Sequence, residues 1–178
     1  LNTQLSKQLD ITTEMARRDR LTNLYNFGFF QEELIRRTEE SRRNSDNPLS
    51  LIICDLDHFK VINDTYGHLA GNRILENIAD ILKGCVREMD IVCRYGGEEF
   101  VVILPHCDCN DAIQIAGRAR ELIKSTSTFI EDGKISCTAS FGCSQFNHKE
   151  PMEEFVKRAD QALYDAKENG RNCVKSLP

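Results

Sequence analysis

Leu49–Cys54 is an apolar run closed by Asp55. With apolar side chains at odd and even positions alike, so short a run is a strand that must be covered on both faces. A sheet built around it needs helices on either side, and the rest of the chain has the periodicity to supply them. Phe27 to about Asn44 places Phe30, Leu34 and Ile35 at helical spacing until Asn44-Ser-Asp-Asn-Pro breaks it. Leu69, Ile74, Leu75, Ile78, Ala79, Ile81 and Leu82 predict a second helix ending near Val86. Asp111–Lys124 predicts a third, and Pro151–Asn169 a fourth with proline near its first turn and Gly170 just past its end. Ile91–Tyr95 and Phe100–Leu104 read as strands around a tight Gly96-Gly97 hairpin, and Ile135–Phe141 alternates like a further strand. The order helix, strand, helix, hairpin, helix, strand, helix predicts an α/β (α+β) sandwich in which helices cover a central mixed sheet.

Composition bounds what such a domain can do. The 178 residues, 40% of them hydrophobic, suit one compact domain over 19–178 preceded by a short appendage. Residues 1–18 are polar, with Leu1, Leu5, Leu9, Ile11 and Met15 loosely on one face, and read as a helical linker. No window reaches the roughly 18 apolar residues of a membrane span. The eight cysteines include no CxxC pair and several lie in apolar runs, as small buried hydrophobes do. A reduced, cytoplasmic setting is expected for this domain, with any membrane anchor of a longer protein lying upstream. His106, Cys107 and Cys109 lack a second metal half-site and read as a plain loop. A formal net charge of -5 argues against a nucleic-acid polymer as partner, since that requires a basic face.

Three stretches can carry chemistry. In Arg94-Tyr-Gly-Gly-Glu-Glu-Phe100, Gly96 and Gly97 allow positive φ at both turn positions and leave bare backbone beside Glu98 and Glu99. That tip suits a polyphosphate with its metals, although taken alone it reads first as a plain hairpin with solvated acids. In Cys54-Asp-Leu-Asp-His-Phe-Lys60, Asp55 stands at the carboxyl end of a buried strand, where ligands gather in open α/β sheets. Asp55 and Glu98 together offer the hard oxygens Mg²⁺ prefers. Asp57 serves as a helix cap or as a ligand. Beyond it, Lys60 offers a point charge for phosphate and Asn63 a donor and acceptor for a base edge. His68 reads as a structural hydrogen-bonding residue.

In this order and at these spacings, the motifs resemble the GGDEF domain family of diguanylate cyclases, from about Asp19 to the C-terminus. The Gly96-Gly97-Glu98-Glu99-Phe100 core is the family's GGEEF variant. Asp19-x-Leu-Thr-x-Leu-Tyr-Asn precedes it, Asp55-Leu-Asp-His-Phe-Lys-x-Ile-Asn-Asp-Thr-Tyr-Gly-His stands between, and Ala159-Asp-x-Ala-Leu-Tyr-x-Ala-Lys-x-x-Gly-Arg-Asn172 follows. The resemblance implies a five-stranded, mainly antiparallel sheet flanked by helices, similar to nucleotidyl cyclase catalytic domains. It implies condensation of two GTP into cyclic di-GMP with release of two pyrophosphates, across a head-to-head homodimer. Asp55, the Leu56 carbonyl and Glu98 would hold Mg²⁺, two per nucleotide, with Mn²⁺ as a substitute. Glu99 would be a second metal ligand or would help deprotonate the attacking hydroxyl. Lys60, Lys167 and Arg171 would grip the terminal phosphates, and Phe59, Asn63 and Asn72 would form the base site. Arg87-x-x-Asp90, with Arg118, matches the family's inhibitory product site, and with the rest of the pattern present that reading is preferred to an ordinary i,i+3 pair at a helix end. An upstream sensory domain would act through residues 1–18.

Three positions depart from the family pattern. Asn72 stands where Asp is usual, replacing two acceptors by one acceptor and one donor. Selectivity for guanine should loosen, so a promiscuous cyclase that also uses ATP to make cyclic GMP-AMP is an alternative. A non-catalytic GTP or cyclic di-GMP receptor is another. Asn23 and Phe27 replace the usual Gly and Arg of the first motif.

Overall fold

The computed structural model describes residues 13–44, 46–131 and 133–177. Among the described residues, the helices α1 (Phe27–Arg43), α2 (Phe59–Cys85), α3 (Cys109–Ser125) and α4 (Met152–Glu168) accompany seven strands. The strands are β1 (Leu49–Leu56), β2 (Ile91–Gly96), β3 (Glu99–Pro105), β4 (Ser127–Ile130), β5 (Gly133–Ser136), β6 (Ala139–Gln145) and β7 (Val174–Leu177). The main sheet runs β2-β3-β1-β6-β7, with β4 and β5 forming a separate two-stranded ribbon. β1 is antiparallel to β3 and β6, and only the β6–β7 pair is parallel. Among the described residues, no helix is long and apolar enough to cross a membrane.

The burial of β1 accounts for its sequence. All eight of its residues are buried, and their side chains alternate between two cores. Ile52, Cys54 and Leu56 pack with Ile74, Ile78 and Leu82 of α2 and Ala112 and Ala116 of α3. Leu49, Leu51 and Ile53 pack with Phe30 and Leu34 of α1 and Phe155, Ala159 and Leu163 of α4. Neither face meets water, so apolar residues fill both positions of the alternation, and the buried polar exceptions are partnered, Ser50 through its hydroxyl to the Cys107 carbonyl and Asp55 by Lys167. α4 lies so close to β6 that a Cβ on Gly142 would stand 2.1 Å from the Ala159 carbonyl oxygen and 2.3 Å from the Leu163 nitrogen.

Several elements differ from the expectation. α2 begins at Phe59, ten residues before the predicted pattern, and is broken at Gly67 (φ 81°, ψ 163°). Its first half exposes Lys60 and all of residues 64–69, so no apolar stripe marks it. The single predicted strand Ile135–Phe141 is two strands in two sheets, β5 and β6. β4 and β7, four residues each, had no predicted counterpart. In the hairpin Gly96 pairs with Glu99, so the turn is Gly97-Glu98, and only Gly97 has positive φ (52°). Of the predicted linker, residues 1–12 lie outside the described residues, and 13–16 are helical.

Candidate functional site

Sheet register brings the acidic motifs together. Asp55 near the end of β1 is the cross-strand partner of Glu99 at the start of β3, which puts both side chains on one face of the sheet. The next residue ties the backbones: the Leu56 N–H donates to the Glu98 carbonyl at 3.3 Å. Asp55 is buried, and Lys167 from the last turn of α4 reaches it, Nζ to Oδ2 at 3.0 Å. Burial pushes the Asp55 carboxyl above its usual range, the Lys167 ammonium opposes the shift, and the charges of Glu98 and Asp57 add to it. Glu99 is raised too, by burial first and then by the charge of Asp55. Residues far apart in sequence thus form one acidic cluster with one cation inside it.

The hairpin tip is braced from behind by residues outside the predicted site. Arg94 donates from Nε and Nη2 to the Gly97 carbonyl at 3.1 and 2.7 Å, and from Nη1 to both Asp19 oxygens at 3.2 Å. Asp19 also accepts from the Thr22 N–H and hydroxyl at 2.9 and 2.7 Å. Burial alone would raise the Asp19 carboxyl, but Thr22 and Arg94 outweigh it and hold it below its usual range. The Asp19 segment therefore fixes the turn that carries Glu98. Asn23 takes the left-handed conformation (φ 55°) that glycine would, and asparagine tolerates it well. Phe27 opens α1 and meets Tyr95 edge-on at 4.9 Å.

Asp57 is neither cap nor free ligand. Its carboxylate accepts from the Thr138 hydroxyl (2.7 Å), the Ser140 hydroxyl (2.7 Å) and the Asn172 N–H (3.0 Å), while the cap of α2 is His58, without a side-chain hydrogen bond. The Asn172 contact holds a strained loop: Gly170, Arg171 and Asn172 have φ of 98°, 62° and 45°. Arg120 Nη1 secures the same loop through the Asn172 carbonyl (3.2 Å) and Oδ1 (3.1 Å). Non-glycine residues in this region cost about 1 kcal/mol or more each and persist where surroundings over-determine them. The outcome is an exposed Arg171 on a fixed loop just beyond the last turn of α4, which bears Lys167.

The kink in α2 brings its two halves against each other. In a straight helix Asn63 and Gly71 would be about 12 Å apart along the axis. Across the Gly67 break they touch, and a Cβ on Gly71 would stand 1.9 Å from Asn63 Oδ1 and 3.1 Å from Phe59 Cζ. Asn63 Oδ1 is buried without a hydrogen-bond partner, an acceptor kept from water and available to a donor. Asn72 is exposed one residue beyond Gly71, and Lys60 is exposed on the first turn of α2. Gly71 carried no signal in the sequence beyond being small.

The remaining predicted residues gather at the opposite end of α2. Asp90 Oδ2 accepts from the Arg87 backbone N–H at 2.8 Å, and the Asp90 N–H donates to the Arg87 carbonyl at 3.1 Å. The pair thus closes a turn through the Arg87 backbone. The Asp90 carboxyl is raised by burial, against the lowering effect of Arg87. The Arg118 guanidinium donates to the Cys85 carbonyl at the end of α2. Arg87 and Asp90 border a groove shared with Arg18, Tyr25 and Lys83.

The donor set fits a hard cation: the Asp55 and Glu98 carboxylates with the Leu56 carbonyl beside them are all oxygen. No group of three His, Cys, Asp or Glu side chains is closed to metal-binding distance among the described residues. A divalent ion would therefore complete its sphere with oxygens from elsewhere, as Mg²⁺ does with substrate phosphates.

Residues 16–173 match the family described as "Diguanylate cyclase, GGDEF domain". Diguanylate cyclase A of Treponema denticola is 42% identical over 166 residues, covering 90% of this chain and 44% of the relative. The response regulator PleD of Caulobacter vibrioides is 38% identical over 173 residues, covering 96% of this chain and 38% of the relative. The chain thus spans less than half the length of these curated relatives. Among solved structures, the coiled coil and GGDEF domain of DgcB from Caulobacter crescentus, in complex with c-di-GMP, superposes with a TM-score of 0.93 at 29% identity, covering 98% of this chain and 93% of that one.

Proposed function

This chain belongs to the GGDEF domain family, and from that premise we propose that residues 19–178 form the catalytic domain of a diguanylate cyclase that condenses two GTP into cyclic di-GMP. One observation carries the proposal: Asp55, Glu98, Glu99 and Lys167, drawn from three separate motifs, converge on one end of the sheet. In the reaction a 3′-hydroxyl oxygen attacks the α-phosphorus of the facing nucleotide, the bond to pyrophosphate breaks, and the hydroxyl proton leaves. Each subunit of a homodimer would hold one GTP. Glu99 completes the acidic site as a second metal ligand or as the group that takes the proton. Lys60, Lys167 and Arg171 bind the terminal phosphates, while bare backbone at Gly96 and Gly97 lets them approach. Asn63 offers its buried acceptor to a guanine N–H, beside Phe59 and Asn72. Mg²⁺, two per nucleotide, or Mn²⁺ in its place, would be held by Asp55, the Leu56 carbonyl and Glu98 and would offset phosphate charge in the transition state.

Arg87, Asp90 and Arg118 would bind the cyclic product and inhibit. The Arg87 backbone already satisfies Asp90, which leaves the exposed Arg87 guanidinium free of it for a phosphate or guanine edge. The domain would work in the cytoplasm, under a sensor linked through residues 1–18.

Incubation with GTP and Mg²⁺ should yield cyclic di-GMP; none from a protein verified as dimeric overturns the proposal. The exposed amide at Asn72 favours a second reading, in which ATP is also accepted. With equal ATP and GTP, mass separation should show an adenine-containing product that Asn72→Asp reduces about tenfold. Its absence from the unmodified protein eliminates that reading. Gly71→Ala drives a methyl group into Asn63 and should raise KM for GTP about tenfold, the scale of one lost hydrogen bond. The thermal midpoint should hold, because alanine favours a helix. An unchanged KM would place the base elsewhere.

A further inference from the structure

Lys167 stands where a phosphate-gripping residue should be free, yet its ammonium is 3.0 Å from Asp55 Oδ2. The two side chains are unequal: Lys167 is 32% exposed and Asp55 11%. The lysine can swing into solvent on its flexible stem, whereas the aspartate cannot follow it. The backbone of α4 stays behind in that movement, since Phe155, Ala159, Leu163 and Ala166 are buried along its length. Around the pair stand Glu98 and Glu99, whose charges bear on Asp55 and on each other. Without a cation this end of the sheet would hold three carboxylates in mutual repulsion.

We propose that Lys167 is the resident cation of the metal site, holding Asp55 until the phosphates of an arriving nucleotide draw the ammonium away and free the carboxylate for the metal. The inference rests on the function proposed above and adds an order to it: metal and nucleotide enter together, and the bare protein resists free metal. The side-chain geometry agrees, since among the described residues no three carboxylate, His or Cys side chains close into a cage, and an ion arriving alone would have to displace Lys167 and would gain few ligands in return. Charge stays balanced in both states. The lysine neutralises Asp55 in one and the phosphates in the other.

The test reads Mn²⁺ binding by electron paramagnetic resonance, with no turnover involved. Lys167→Met keeps the aliphatic stem and removes the charge; Lys167→Arg keeps the charge. Without nucleotide, Lys167→Met should bind Mn²⁺ about tenfold tighter than the unmodified protein, the scale on which an adjacent opposite charge changes a carboxylate's affinity for a cation. Lys167→Arg should stay close to the unmodified protein. A non-hydrolysable GTP analogue should tighten Mn²⁺ binding in the unmodified protein and much less in Lys167→Met. Equal nucleotide-free affinities in folded Lys167→Met and unmodified protein overturn the inference, with Lys167→Gln taking the place of a methionine variant that unfolds. Failure of the unmodified protein to bind Mn²⁺ even with the analogue overturns the metal site itself, and the inference with it.

Discussion

Glu99→Gln should lower conversion of GTP to cyclic di-GMP by about 10³-fold, within the range set by removing an acid–base group or a transition-state electrostatic contact. Nucleotide affinity measured without divalent metal should change by less than about threefold, since no contact to the base or to the terminal phosphates is touched. Glutamine preserves the shape of a half-buried side chain at the start of β3 while removing its charge and its capacity to take a proton. The fold should tolerate this, because the charges bearing on Glu99 are largely carboxylates, Asp55, Asp160 and Glu98, opposed by the Lys167 ammonium. The assay is product formation by chromatography alongside binding of a fluorescent nucleotide analogue. A loss smaller than about tenfold with binding intact would remove Glu99 from the reaction.

Gly142→Ala should destabilise the domain by about 3 kcal/mol or more, at the upper end of what overpacking costs. The added methyl would stand 2.1 Å from one backbone atom and 2.3 Å from another, and backbone cannot rotate away as a side-chain tip can. Relief requires lifting α4 off β6, which opens the core containing Phe155, Ala159 and Leu163. It also carries Lys167 away from Asp55, so activity should fall together with stability. Urea unfolding followed by circular dichroism measures the effect. Gly117→Ala is the control: nothing lies within 4 Å of its added carbon, and in a helix interior it should stabilise by about 0.5–1 kcal/mol. Equal unfolding midpoints for the two variants would contradict the packing of α4 on β6.

What the sequence made legible follows from which residues bury apolar surface. β1, α1, α3, α4 and the β2–β3 pair were readable because Leu51, Ile53, Phe30, Phe155 and their neighbours repeat at strand or helix spacing. The first half of α2 was not, because it exposes Lys60 and residues 64–69 to solvent instead of burying a stripe. β4 and β7 are four residues each, too short for alternation to stand out. The hairpin was placed one residue early, since two glycines in a row do not say which of them needs positive φ; Gly97 does. At the site, Asp55, Glu98, Glu99 and Lys167 were named from motifs, but the cross-strand pairing and the lysine's choice of partner are tertiary facts. Asp19 with Arg94, and Asp57 with Asn172, were invisible for the same reason: their hydrogen bonds join residues 75 and 115 positions apart.

The strand order has a temporal consequence. β1 sits at the centre of the sheet, and one of its edges pairs Ser50 with Gln145 and Leu56 with Ala139. A chain emerging from the ribosome can form its helices as they appear, but it cannot close that edge until α2, the β2–β3 hairpin, α3 and then β6 have been made. Loop-closure entropy must be met before such distant pairings return anything. Until β6 arrives, the most apolar strand of the protein has an open side and is most vulnerable to aggregation. Asp55 and Glu99 can pair as soon as β3 is made, but Lys167 lies beyond β6 on α4, so the cation joins the carboxylates only after the sheet has closed.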